Sequence, residues 1–192
     1  MADEDVRAEL IRYAQRAYDR GLVSGPGGNF SARLADGRRM VITASGVSLG
    51  DTAPDNLVTV ELETYAYDAA GVWKPSKEYR YHADILRLRP DVQAVLHVHP
   101  AYATSFAVRK RDIPMVTDAG FKQKAMPRVG FAPSGSDALQ ELVVRAVHEH
   151  PGCAVLLLEQ HGIAALGASV VQAFYLADLT EELARIAYIA ER

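Results

Sequence analysis

The stretch Gln93-Ala94-Val95-Leu96-His97-Val98-His99 decides how this chain is read. Its apolar and alternating character predicts a strand over residues 92–99. Side chains on a strand repeat every two residues, so His97 and His99 project to one face while Val98 enters the opposite layer. Two imidazoles on one face at a strand end suit chelation, because neutral imidazole nitrogen binds zinc and similar divalent ions at about 2.0–2.1 Å. The alternative for such a pair is ordinary hydrogen bonding. A second pair, His148 and His150, has the same spacing but falls late in a helix predicted over 136–149. Positions two apart on a helix diverge by about 200°, so those two read as surface histidines. A third imidazole, His161, stands before Gly162 and follows a second apolar run, Cys153–Leu158.

Outward from this strand, Pro90 stops a preceding helix predicted over 77–89, with Ser76 as its N-cap, and Pro100 opens a helix over 101–109. Toward the N-terminus, Val6, Leu10, Ile11, Tyr13, Ala14 and Ala17 recur at helical spacing and predict a helix over 4–20, ended by Gly21. Short strands are predicted at 29–34 and 40–42 around an Asp36-Gly37 turn, and at 57–62 and 64–67. Residues 112–133, rich in Pro and Gly, read as irregular with one strand at 128–131. Strands at 153–159 and 162–166 and a closing helix at 169–190 complete the chain. The expectation is an α/β fold in a single domain over residues 1–192, with helices packed on a mixed or mainly antiparallel sheet.

At 192 residues with 49% hydrophobic content, the chain is long enough to bury a full core. A net charge of -3 supplies no basic stripe, which argues against nucleic acid as a partner and against membrane steering. No apolar run reaches the ~18–20 residues of a membrane span. The start, Met1-Ala2-Asp3-Glu4-Asp5-Val6, lacks the basic and apolar regions of a signal peptide. The single cysteine, Cys153, forms no intrachain disulfide, which fits a cytoplasmic enzyme; opening a strand, it reads as buried rather than reactive.

Three loops carry further chemistry. Ser24-Gly25-Pro26-Gly27-Gly28-Asn29 concentrates glycine ahead of a strand, a composition that suits either an anion nest for phosphate or a tight turn. Thr43-Ala44-Ser45-Gly46-Val47-Ser48 offers hydroxyls and amides, and convergence of the two loops would favour the anion site. Pro75-Ser76-Lys77-Glu78 adds a hydroxyl and a positive charge at a helix start. Glu78 is its only carboxylate, open to either a chemical role or complementation of the helix dipole.

Gly27-Gly28-Asn29-Phe30-Ser31, Ile42-Thr43-Ala44-Ser45-Gly46, Ser76-Lys77-Glu78-Tyr79-Arg80-Tyr81-His82, Val95-Leu96-His97-Val98-His99 and Gln160-His161-Gly162 occur in the order found in the class II aldolase/adducin family. The chain resembles its fuculose-1-phosphate aldolase branch most, from about residue 4 to the closing helix. The resemblance implies an α/β/α layered fold around a mainly antiparallel sheet and a cyclic homotetramer with active sites between subunits. It implies a divalent metal, zinc first with manganese or cobalt as alternatives, held by His97, His99 and His161. Glu78 takes the acid–base role and also approaches the metal of an empty site. Asn29, Ser45, Gly46 and Ser76 fall on phosphate-binding positions, and Lys77 adjoins them.

The implied reaction is cleavage of a ketose 1-phosphate to dihydroxyacetone phosphate and an aldehyde through a metal-stabilised enediolate. Desolvation is expected to raise the Glu78 pKa so that it can shuttle protons. Three departures bear on the substrate. Lys77 replaces a second serine, as in family decarboxylases acting on phosphorylated 3-oxo acids, which makes decarboxylation the alternative reaction. Asp118 stands where the fuculose-type enzymes present a proton-donating tyrosine from the neighbouring subunit, with Tyr102 or water as substitutes. The chain also stops at Arg192, short of the family's mobile C-terminal tail. The ribulose-phosphate epimerase branch has aspartate where Glu78 stands. An adducin-like interaction module would have lost the ligands that His97, His99, His161 and Glu78 retain.

Overall fold

A computed structural model describes residues 2–191, so the chain end at Arg192, on which the reading of the tail rests, and Met1 lie outside the described residues. In chain order the elements are α1 (Asp3–Asp19), β1 (Asn29–Arg33), β2 (Arg39–Thr43), β3 (Leu57–Glu61), α2 (Tyr79–Leu88), β4 (Ala94–Val98) and α3 (Ala101–Val108). There follow α4 (Asp118–Phe121), β5 (Arg128–Val129), α5 (Asp137–Glu149), β6 (Val155–Leu158), β7 (Gly162–Gly167) and α6 (Val170–Ala190). The strands form one sheet in the order β3-β2-β1-β4-β7-β6-β5. Neighbours pair antiparallel except β5 with β6, which are parallel, so the mainly antiparallel expectation holds and the sheet is mixed.

The two-residue period of the strands sorts the core into two layers. Along β4, Ala94, Leu96 and Val98 join α1, α3 and α6 on one face, where Leu10, Phe106 and Phe174 are buried. Val95 joins α2 and α5 on the other face with Tyr81, Ile85, Leu139 and Val143. Helix α1 buries Val6, Leu10, Tyr13, Ala14 and Ala17, the stripe its sequence spacing predicts except Ile11, which is only half-buried. Ser136 and Ser169 cap α5 and α6 by accepting from the amides of Leu139 and Gln172. Among the described residues no helix is long and apolar enough to cross a membrane.

Several sequence expectations are corrected. Residues 64–67 are not a strand: Tyr65 sits at φ 59 in a turn that returns the Ala66 carbonyl to the Glu61 amide, 2.9 Å. Tyr65 and Tyr67 instead pack edge-on against Tyr79, with ring centroids 6.3 and 5.8 Å away. Helix α2 begins at Tyr79, so Ser76 is not its N-cap; Ser76 and Glu78 lie in a preceding turn closed by the Tyr79 amide on the Ser76 carbonyl, 3.0 Å. The strand expected at 128–131 keeps only Arg128 and Val129, and the short α4 was not foreseen.

Candidate active site

His97 lies at the centre of the sheet, opposite Asn29 of β1 and Ala164 of β7, on the α2 and α5 side. It is fully buried, and its Nδ1 donates to the Ile163 carbonyl at 2.9 Å. That bond fixes the tautomer in which Nε2 carries a bare lone pair. His99 follows the strand, its amide donating to the Leu22 carbonyl at 3.1 Å. His161 comes from the tight β6–β7 turn, in which Gln160 takes φ 58 and the His161 amide returns to the Leu158 carbonyl at 3.1 Å. Gly162 makes this approach possible: a Cβ there would run into the Val98 carbonyl and stand 2.7 Å from His99 Cδ2. Gly28, at φ 72, likewise passes so close to the His97 carbonyl that a Cβ would lie 2.8 Å from it.

The imidazoles converge through Nε2 atoms, His97 to His99 at 2.9 Å and His97 to His161 at 3.2 Å. Donors bound tetrahedrally to zinc lie about 3.3 Å apart, so the triad is near the required spacing. Burial pushes all three pKa values down, His97 to about 3, and leaves the rings neutral with lone pairs available at neutral pH. Three neutral nitrogens within 4.8 Å of one another fit a divalent ion with a further position open. His161 Nδ1 is buried with no hydrogen-bond partner.

Glu78 meets this triad from the loop before α2. Its Oε2 lies 3.3 Å from His97 Nε2 and its Oε1 3.6 Å from His161 Nε2. Asn29 Nδ2 and the Tyr81 hydroxyl donate to Oε2 at 2.9 and 3.3 Å, and the Ser134 hydroxyl donates to Oε1 at 3.0 Å. Burial pushes this carboxyl up, but the charge that the facing His97 and His161 take on when they protonate in acid, together with the Asn29 amide bond, outweighs it and brings the pKa to about 2. The expected rise by desolvation is therefore not met; Glu78 is ionised. Behind it, buried His82 shares a 2.8 Å hydrogen bond with Ser31 and stays neutral, its pKa pushed by burial to about 3.

Asn29, Ser45, Gly46, Ser76, Lys77, Glu78, His97, His99 and His161, all singled out in the sequence, line one cavity of about 320 Å³. The two small-residue loops converge on it. The Gly27 amide closes a turn on the Ser24 carbonyl and the Ser45 amide bonds the Lys74 carbonyl, so these amides are spent within the loops. To the wall the two loops bring Gly27, Gly28, Ser45 and Gly46, and the loop before α2 adds Ser76 and Lys77. Ser134 and Tyr81 escaped the sequence reading. The Pro133-Ser134-Gly135 turn, with Gly135 at φ 75, was the available signal for the first; Tyr81 reads as ordinary core. Asp118 and Tyr102 do not line the cavity: Asp118 is exposed beside Lys122, and Tyr102 packs on Tyr188. His148 and His150 are exposed, and Cys153 is buried, as read from the sequence.

The family profile described as Class II Aldolase and Adducin N-terminal domain matches residues 8–188. A 5-methylthioribulose-1-phosphate/5-deoxyribulose-1-phosphate aldolase of Rhodospirillum rubrum is 37% identical over 188 residues, covering 93% of this chain and 78% of that protein. A 3-oxo-tetronate 4-phosphate decarboxylase of Haemophilus influenzae is 30% identical over 190 residues, covering 95% and 85%. The solved structure of an L-fuculose 1-phosphate aldolase superposes with a TM-score of 0.89 at 28% identity, covering 100% of this chain and 88% of that one.

Proposed function

Because this chain belongs to the class II aldolase and adducin N-terminal domain family, we propose that it is a metal-dependent aldolase cleaving a ketose 1-phosphate to dihydroxyacetone phosphate and an aldehyde. The observation that carries the reading is the convergence of His97, His99 and His161 on the ionised carboxylate of Glu78 within one cavity. Those three imidazoles would hold the ion, zinc or else manganese or cobalt, with residues 1–192 acting as one domain. A bound divalent ion would supply Lewis-acid stabilisation of the negative charge that develops on the ketose oxygens.

This chain's residues do the rest. Ser45, Gly46 and Ser76 line the wall where the phosphate would seat, and the Lys77 ammonium offsets its charge. Asn29, also placed by resemblance at the phosphate, bonds Glu78, which orients the carboxylate between substrate and triad. Breaking the C3–C4 bond leaves an electron pair on C3 and takes a proton from the C4 hydroxyl. Glu78, the one carboxylate in the cavity wall, rests ionised, accepts the C4 hydroxyl proton and delivers it to C3.

Lys77 and the resemblance to the decarboxylase favour a second reading, in which the same site removes carbon dioxide from a phosphorylated 3-oxo acid. An assay panel separates them: fuculose 1-phosphate, 5-deoxyribulose 1-phosphate, 5-methylthioribulose 1-phosphate and 3-oxo-tetronate 4-phosphate, scored for aldehyde against carbon dioxide. Aldehyde release from a ketose 1-phosphate is expected; turnover of the acid alone overturns the aldolase reading. Metal analysis of the purified protein is expected to find one zinc, manganese or cobalt per chain. The enzyme is proposed to act in the cytoplasm as a homotetramer with sites between subunits. Exposed Val108, Val116, Phe121 and Phe131 support assembly.

A further inference from the structure

We propose that Glu181, which lies outside the cavity wall on α6, is a positioning residue that sets the aim of His99; this rests on the metal-dependent reading above. The His97 ring is fixed from behind by the Ile163 carbonyl. His99 has no such support: among the described residues its ring nitrogens hydrogen-bond only within the triad. The direction of the His99 ring is therefore inherited from the backbone on either side.

Upstream, the His99 amide is tied to the Leu22 carbonyl at 3.1 Å. Downstream the chain passes through Pro100, at φ -68, directly into α3. Eight residues do not form a stable helix alone, and Pro100 provides no side-chain cap for its free amides. Glu181 supplies that cap from another helix. Its Oε1 accepts from the Tyr102 amide at 3.0 Å and its Oε2 from the Ala103 amide at 2.9 Å. Both carboxylate oxygens are thus committed to the first turn of α3, where negative charge also complements the helix dipole. The clamp fixes the start of α3 against α6, and with it the C-terminal flank of His99.

The test compares zinc affinity, measured by competition with a chromophoric chelator, in the wild-type chain, Glu181→Gln and Asp178→Ala. Glutamine retains a single acceptor oxygen, so one of the two amides loses its partner. Asp178→Ala breaks the exposed Arg20 pair on the same helix and controls for general loss of stability. Glu181→Gln is expected to weaken zinc about tenfold or more, the range for residues that orient a metal ligand, with Asp178→Ala unchanged. Wild-type zinc affinity in Glu181→Gln, together with a lowered Tm, makes Glu181 merely structural and overturns the proposal. If that variant shows no cooperative melting, Glu181→Asp, with the carboxylate withdrawn by one methylene, is judged by the same criterion. A wild-type chain that takes up no zinc, manganese or cobalt overturns the metal-dependent reading and this one with it; normal wild-type binding with an unaffected variant overturns only this one.

Discussion

Glu78 is the residue on which the proposed chemistry turns, and its surroundings make its removal informative. Glu78→Gln keeps the side-chain volume and leaves the three imidazoles in place, so it is expected to abolish turnover while zinc remains bound. Activity within tenfold of wild type rejects the acid–base role. The imidazoles themselves govern acid sensitivity. His82 and His97 stay neutral in the fold down to about pH 3, whereas the ordinary histidine value is 6.5. The unfolded chain therefore takes up protons first as pH falls, and stability drops from pH 6.5 downward. Glu78 works in the same direction lower down: its contribution is present above 4.5 and is lost as pH falls toward 2. Chelator-treated protein should show a Tm that declines continuously from pH 6.5 to 4; a flat profile contradicts the buried neutral imidazoles. The residues visible in the sequence were those whose type declares their chemistry, His97, His99, His161 and Glu78. Ser134 and Tyr81 stayed hidden because a hydroxyl becomes a carboxylate donor only through long-range packing.

At the scale of elements, the β6–β7 turn is where backbone geometry sets the site. Gly162→Ala would drive a methyl into the Val98 carbonyl and the His99 ring. We expect a loss of about 1–3 kcal/mol, as for other overpacked positions, with weakened zinc binding, read by denaturant unfolding and chelator competition. An unchanged midpoint and affinity would mean that the turn relaxes freely. Helices α1, α5 and α6 and the strands around the triad were legible because each carries a periodic or continuous apolar pattern of the right length. Residues 64–67 misled because Tyr65 and Tyr67 carry strand propensity yet find a better partner in Tyr79. Helix α2 was misplaced because Ser76, a good capping type, is held in a turn before it. Strand order was out of reach, since nothing local in β4 specifies that β1 and β7 flank it.

At the scale of the whole molecule, the proposed tetramer makes a specific demand on the surface. Phe121 is 73% exposed in the isolated chain. Phe121→Asp should therefore change the chain's intrinsic stability by no more than about 0.5 kcal/mol while lowering the assembled mass. Light scattering on the wild type should return four times the 20.9 kDa chain mass; a monomer with full activity contradicts sites between subunits. The sheet order also dictates when the metal site can exist. His97 and His161 are 64 residues apart in the chain but meet across adjacent strands. During synthesis at about 5–20 residues per second, the first two imidazoles precede the third by on the order of 3–13 seconds. Until β7 slots between β4 and β6, a nascent chain holds only two of the three imidazoles in place and lacks the Ile163 carbonyl that orients His97. Under the proposed metal-dependent reading, binding by all three imidazoles would require β7 to be paired with β4, so full metal loading would report completed central strand pairing.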